Sequence, residues 1–259
     1  MAPRPRLPES LRRLPIAHRA YHDRDAGRIE NSRAAIRAAV EAGYAIEIDL
    51  QLSSDCQAMV FHDDDLDRLT AATGPVRARS AAELGGIGLT GGNEGIPTFA
   101  EVLALVDGRV PLLVEIKDQD HGFGPGFGVL EAVTAQHLAG YSGDVAVMSF
   151  NPHSVGEMAR LLPRVPRGLT TWEWKGDEAD TIGEARCAPL RGIVDYDRVG
   201  ASFLSHHWRD LARPRVAELV AQGADLLCWT LRSPEDEAEA RKRACNVTFE
   251  GYAAAFPQA

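Results

Sequence analysis

The feature that most limits what this chain can fold into is an alternation of short apolar runs with helical stretches along its whole length. Strand-like runs stand at 15–19 (PIAHR), 44–53 (YAIEIDLQLS), 110–118 (VPLLVEIKD), 144–150 (DVAVMSF), 166–171 (PRGLTT), 200–208 (GASFLSHHW), 224–231 (ADLLCWTL) and 246–251 (NVTFEG). Helical patterns at 31–43, 98–106, 151–162, 213–223 and 233–244 separate most of them. Gly43 is placed to cap the first helix, and Thr98 with Glu101 gives the second a capping-box start. Strand–helix–strand repetition predicts a parallel sheet. Eight such steps, with 58–63 (AMVFHD) folded beside the second strand, predict an α/β fold of the (β/α)8 TIM-barrel type. With 259 residues, a single barrel domain spanning 1–259 is expected, because such barrels run to about 250 residues undivided.

One segment breaks the rhythm. Residues 64–97 are Gly-rich, hold only a short helical pattern near 80–84, and fall between the second strand and its helix. Loops after barrel strands build the active face, so this small insertion is a candidate cap over the mouth. Composition narrows the partners. A net charge of −9, with acids and bases interspersed, argues against nucleic acid. No apolar run reaches the ~20 residues of a bilayer span, so no stable membrane association is expected. The start of the chain lacks an apolar signal core, and Cys56, Cys187, Cys228 and Cys245 share no metal-ligand spacing. Both observations point to a cytoplasmic protein with reduced thiols.

The chemistry concentrates in AIEIDLQLSSDCQAMVFHDDDLDRLT (45–70). Strand alternation puts Glu47 and Asp49 on one face, and Glu115 and Lys117 on one face of LLVEIKD. In a barrel those faces converge at the mouth. Two unit charges ~4 Å apart cost about 4 kcal/mol at an effective dielectric near 20, so three close carboxylates need a cation. Lys117 can offset one of them. A divalent ion serves all three, and all-oxygen ligands favour Mg²⁺ or Ca²⁺, with Mn²⁺ also compatible. His18 and His62 end strand-like runs beside this cluster and are candidates for proton transfer near neutral pH. Arg19 adds a planar fork suited to phosphate. Other residues leave alternatives open. His206 and His207 suit packing or the rim, Trp229 a pocket wall or the core, and TWEWK (171–175) an aromatic wall or a loop anchor. His22 and His121 read as solvated.

The stretch from Ala17 to Val76 (AHRAYHDRDAGRIENSRAAIRAAVEAGYAIEIDLQLSSDCQAMVFHDDDLDRLTAATGPV) resembles the amino-terminal signature of the glycerophosphodiester phosphodiesterases. That signature runs H-R-G, P-E-N-T, E-x-D, then H-D with L-x-R-T. PLLVEIKD, VMSFNP and LLCWTLRSPEDE extend the resemblance over nearly the whole chain. It implies a TIM barrel with a divalent metal that hydrolyses small-molecule glycerophosphodiesters to glycerol 3-phosphate and an alcohol. By position it implies Glu47, Asp49 and Glu115 as metal ligands, His18 and His62 as the catalytic pair, and Arg19 and Lys117 at the phosphate. Glu30 and Asn31 match the family's second motif and would order the site; Trp229, if a pocket wall, joins them as a supporting residue on its position in ADLLCWTL and not on the motif. The chain departs from the pattern in having Ala20 for the motif glycine, Ile29 for the proline, Ser32 for the threonine and Cys56 in place of an Asp-Gly turn. NVTFEGYAAAF (246–256) stands where a Thr-Asp-x-Pro pattern is usual. A lysophospholipase-D-like barrel lyase and a barrel that binds a phosphodiester without turnover are the alternatives.

Overall fold

The apolar runs pair as their alternation demands. In the computed structural model, which describes residues 4–257, the strands are β1 (Ile16–Ala17), β2 (Ala45–Leu52), β3 (Ala58–Val60), β4 (Leu112–Ile116), β5 (Val145–Ser149), β6 (Arg167–Thr171), β7 (Phe203–His207), β8 (Asp225–Leu231) and β9 (Asn246–Phe249). Neighbouring strands are parallel except β3, which turns back antiparallel on β2. Because β1 pairs with both β2 and β9, the other eight strands close into a (β/α)8 barrel with the helices outside.

Local signals set the helix ends. The Ser32 hydroxyl accepts from the Ala35 amide and Gly43 takes φ 79°, which bounds the helix Arg33–Ala42. Thr98 and Glu101 close a capping box on Phe99–Val106. The helix Val129–Leu138 escaped the sequence pattern because two polar side chains, Glu131 and Thr134, lie on its buried side. Glu131 accepts from the Gly128 amide at 2.6 Å and from the Ser154 hydroxyl at 2.5 Å, so its burial is compensated.

Ile16, Ala45, Leu113, Ala146, Met148, Phe203 and Leu227 fill the barrel, and Leu7 and Leu11 seal its lower end. Burying a Leu side chain fully contributes roughly 1.5–3 kcal/mol. The Asn246 amide donates to the carbonyls of Leu11 (2.8 Å) and Leu14 (2.6 Å), tying this plug to β9. Gly168 gives Phe203 its space, since a Cβ there would fall 2.3 Å from the ring. Within 64–97 the chain forms a short helix, Ala81–Gly86, with a Ser80–Glu83 capping box. Leu66, Leu69, Val76, Leu84, Leu89 and Ile96 pack with Ile29, Met59 and Phe61 into a separate small core. Among the described residues, no helix is long and apolar enough to cross a membrane.

Candidate active site

On β2 the apolar Ile46, Ile48 and Leu50 pack in the core against helix residues, while Glu47 and Asp49 lie on the opposite face, inside the barrel. On β4, Asp49 registers with Glu115. All three carboxylates are buried, and Glu47, Asp49 and Glu115 each offer an oxygen within 4.8 Å of the others. Lys117 Nζ sits 2.8 Å from Asp49 and 2.5 Å from Glu115. Asn31 donates to Asp49 at 3.0 Å. Glu47 accepts from the Arg19 backbone amide at 2.8 Å, and its carboxylate has no cationic side-chain partner among the described residues.

The electrostatics follow from this pairing. Burial, then Asp49 and Glu115, push Glu47 well above the usual carboxylate range. Burial also opposes the charge on Asp49, yet Lys117, His62 and Arg19 hold its carboxyl well below that range. Lys117 is likewise opposed by burial, and Asp49 and Glu115 keep it above its ordinary value. Lys117 and, at 3.7 Å from Asp49, Arg19 neutralise part of a three-acid cluster, and among the described residues neither pairs directly with Glu47. An all-oxygen donor set with excess negative charge fits a hard divalent cation.

Backbone strain supports the same corner. Arg19 (φ 51°), Ala20 (φ 66°) and Asn31 (φ 59°) are all left-handed. Ala20 therefore occupies the backbone state that explains glycine in the family motif, at a cost of roughly 1–2 kcal/mol. The Ala20 amide bonds the Glu47 carbonyl (2.9 Å) and the Asn31 amide bonds the Arg19 carbonyl (2.8 Å), which holds that conformation. The β2–β3 turn also survives its missing glycine. Cys56 takes φ 58°, and the Gln57 amide donates to the Ser53 hydroxyl at 2.8 Å.

His18, Arg19, His62 and Trp229, with the carboxylates and Lys117, line one cavity of about 740 Å³ at the strand C-terminal ends. Glu30 and Asn31 stand outside that lining. Glu30 accepts from Arg19 (2.7 Å) and is gripped by both terminal nitrogens of Arg68, at 2.8 and 2.7 Å. Arg68 also holds Asp63 at 2.6 and 2.9 Å, and Asp63 bonds His62 Nδ1 at 2.7 Å.

Some expectations need correction. Of the 64–97 segment, Asp64 alone lines the cavity, so the segment is not a cap over this pocket; its apolar side chains are occupied by their own core. It reaches the site through Arg68 instead. His22 is not simply solvated: its Nε2 lies 3.6 Å from Glu250 and is buried. His121 is exposed, 3.1 Å from Asp64. His206 is a packing residue. It bonds the Thr171 hydroxyl at 2.7 Å, and burial first of all depresses it to about 4. His207 lies at the rim of the cavity. Trp229 is a wall, donating to the Ser205 carbonyl at 2.9 Å and meeting Phe150 edge-on. Trp174 of TWEWK is a buried anchor against Phe123 and Phe150. Sequence reasoning missed Asp63, Arg68 and Glu250. Asp63 and Arg68 had a local signal in the H-D and L-x-R-T of the motif, and Glu250 had none.

A parallel (β/α)8 barrel with a charged cavity at its strand C-terminal ends is the architecture of a TIM-barrel enzyme. The sequence profile of the glycerophosphoryl diester phosphodiesterase family matches residues 18–251, and the chain belongs to that family. It is accordingly an enzyme of glycerophosphodiester hydrolysis. It is 32% identical over 170 residues, 61% of this chain and 67% of the relative, to a glycerophosphodiester phosphodiesterase of Caldanaerobacter subterraneus subsp. tengcongensis. It is 27% identical over 219 residues, 81% and 84% of the two chains, to YhdW of Bacillus subtilis (strain 168). Its fold is similar to that of an Oleispira antarctica phosphodiesterase solved with the product sn-glycerol 3-phosphate. There the TM-score is 0.71 at 22% identity, over 92% of this chain and 93% of the other. A Parabacteroides distasonis glycerophosphodiester phosphodiesterase gives 0.72 at 22% identity, over 90% and 91%.

Proposed function

We propose that this chain hydrolyses glycerophosphodiesters to glycerol 3-phosphate and an alcohol in a divalent-metal-dependent reaction, with Mg²⁺ or Ca²⁺ as the physiological ion. The observation that carries the reading is the buried Glu47–Asp49–Glu115 cluster, short of positive charge and lining the same cavity as His18 and His62. Glu47, Asp49 and Glu115 would hold the ion. When bound, the ion supplies Lewis-acid stabilisation of charge developing on the phosphoryl oxygens.

The protein's own residues do the rest. Arg19 is pinned by Glu30 at 2.7 Å and faces Asp49 at 3.7 Å, which holds its guanidinium at the cavity wall, where a phosphate oxygen would bind. Lys117 uses two of its three N–H donors on Asp49 and Glu115 and keeps the third for substrate. One histidine takes the proton from the attacking hydroxyl or water as the new O–P bond forms. The other gives a proton to the alcohol oxygen as its bond to phosphorus breaks. A cyclic phosphate made by a hydroxyl is opened by water in a second step. A binding module has no need of two proton-transfer groups, which favours turnover.

The test is turnover of glycerophosphocholine before and after EDTA, followed by readdition of Mg²⁺, Ca²⁺ or Mn²⁺. Activity lost to EDTA and restored by one of these ions is expected. Undiminished turnover after exhaustive EDTA treatment would remove the metal from the proposal.

A further inference from the structure

His18 has a second neighbour that the motif does not contain. Its Nδ1 lies 2.5 Å from Glu250 Oε2. Glu250 follows directly on β9, and the His18 amide bonds the Phe249 carbonyl at 2.9 Å, so the barrel seam sets the two residues side by side. The carboxylate is itself held. Arg232 Nη2 reaches Glu250 Oε1 at 2.6 Å, and His22 Nε2 stands 3.6 Å from Oε2 with no hydrogen-bond partner among the described residues. Burial works against the charge on Glu250, and His18, His22 and Arg232 nevertheless hold its carboxyl below the usual range. The groups around His18 are therefore Glu250, Arg232 and His22 on the β9 side, with Arg19 and Asp49 on the β2 side.

An imidazole whose Nδ1 donates to a carboxylate leaves Nε2 as its acceptor. We infer that Glu250 is the positioning residue of His18: it fixes the Nδ1–H tautomer and the ring plane, so that Nε2 is the nitrogen that handles the substrate's proton. The inference rests on the reading of His18 as a proton-transfer group. Glu250 does not act on the substrate. It makes the seam between β9 and β1 part of the catalytic apparatus, and gives NVTFEG a task at the point where the chain departs from its family's pattern. A purely structural Glu250 would serve to fasten Arg232, and losing it would leave the tautomer of His18 and the chemical step alone.

The experiment compares Glu250→Ala, Glu250→Gln, His18→Ala and the His18→Ala/Glu250→Ala double variant in the full chain. It measures kcat and KM for glycerophosphocholine, metal affinity by calorimetry, and the His18 ring by ¹⁵N NMR, with His18→Ala giving the assignment. Glu250→Ala is expected to lower kcat roughly 10²-fold, as for other carboxylates that orient a working histidine, with KM and metal affinity close to wild type. The Nδ1–H tautomer should no longer dominate at His18. Glu250→Gln, which keeps the size and an acceptor oxygen, should lose less, and the double variant should be no slower than His18→Ala. A slow His18→Ala beside a Glu250→Ala of wild-type kcat and unchanged tautomer overturns the positioning role alone. Multiplying losses in the double variant overturn it as well. His18→Ala at wild-type speed overturns the His18 reading and the positioning role with it.

Discussion

The two sides of the barrel mouth are made of different materials. The side from β1 to β4 is a web of charge in which Glu47, Asp49, Glu115, Lys117, Arg19 and Glu30 lie within a few bonds of one another. The side from β5 to β9 is lined by Met148, Phe150, Trp229, Thr170, Ser205 and Thr248, with Arg209 and Arg232 in the segments that follow β7 and β8. The hydroxyls of Thr170, Ser205 and Thr248 are buried and have no hydrogen-bond partner among the described residues. Charge that must stay fixed is over-determined by neighbours, as preorganised catalytic groups require. The opposite side offers more apolar surface, which suits contact with substrates that differ in their alcohol. On the proposed reading, phosphate binding and most of the proton transfer fall to the first wall, with Glu250 reaching His18 from the end of β9, and the choice of alcohol falls to the second.

If that division holds, damage to the first wall should cost far more than damage to the second. The largest effects are expected for His18→Ala and His62→Ala. Each should lower kcat by the roughly 10²–10⁴-fold typical of general acid–base residues, with metal binding retained. Steady-state kinetics and calorimetry on each variant check this, and a variant that also loses the metal marks its histidine as a ligand.

A smaller effect is expected one layer out. Arg68→Ala frees both Asp63 and Glu30, so the orientation of His62 and Arg19 loosens together. A fall in kcat of roughly 10-fold is expected, in line with outer partners of catalytic groups. An unchanged kcat would confine the 64–97 segment to stability.

On the second wall, Phe150→Ala should alter kcat/KM only severalfold and unequally among glycerophosphocholine, glycerophosphoethanolamine and glycerophosphoglycerol. The same assay addresses lipids. The apolar side chains of 64–97 pack with one another and with Ile29, Met59 and Phe61, so among the described residues that segment supplies no greasy track to the mouth. Each buried CH₂ is worth about 0.8 kcal/mol, which an acyl chain would need such a track to gain. Lysophosphatidylcholine below its micelle concentration should therefore be a poorer substrate than all three soluble diesters. A higher value for the lysolipid would promote the lipase-like reading.

The smallest effect concerns stability in EDTA. Burial and like charge raise the carboxyl of Glu47 in the folded state, so the unfolded state releases its proton first. That destabilises the fold as pH rises above the unfolded value and is absent below it. Glu47→Gln should therefore melt above the metal-free wild type at pH 7, by roughly 2–4 °C per kcal/mol relieved, and level with it near pH 4. A lower melting temperature for the variant at pH 7 would contradict this.

The first wall was also the legible one, for a physical reason. Glu47, Asp49, Glu115 and Lys117 reveal themselves by parity, because a charged residue between Ile46 and Ile48 has only the barrel interior to face. His18, Arg19 and His62 sit at the ends of those runs. The same periodicity placed the β strands and the Thr98 and Gly43 caps. What stayed hidden depends on chain closure. Glu250 meets His18 across 232 residues and Arg68 meets Glu30 across 38, and no local pattern encodes either meeting. The role of 64–97 is not legible in the sequence, because its apolar residues read equally well as a lid or as a self-contained core. Only packing separates the two.

The central claim is that Glu47, Asp49 and Glu115 form a divalent-cation site, and calorimetric titration of Mg²⁺ and Ca²⁺ into wild type and Glu47→Gln tests it most directly. The account predicts one saturable site in the wild type and an affinity weaker by roughly 10²-fold or more in a Glu47→Gln protein that remains folded. Equal affinity in the two proteins, or no binding to the wild type at millimolar ion, would contradict it.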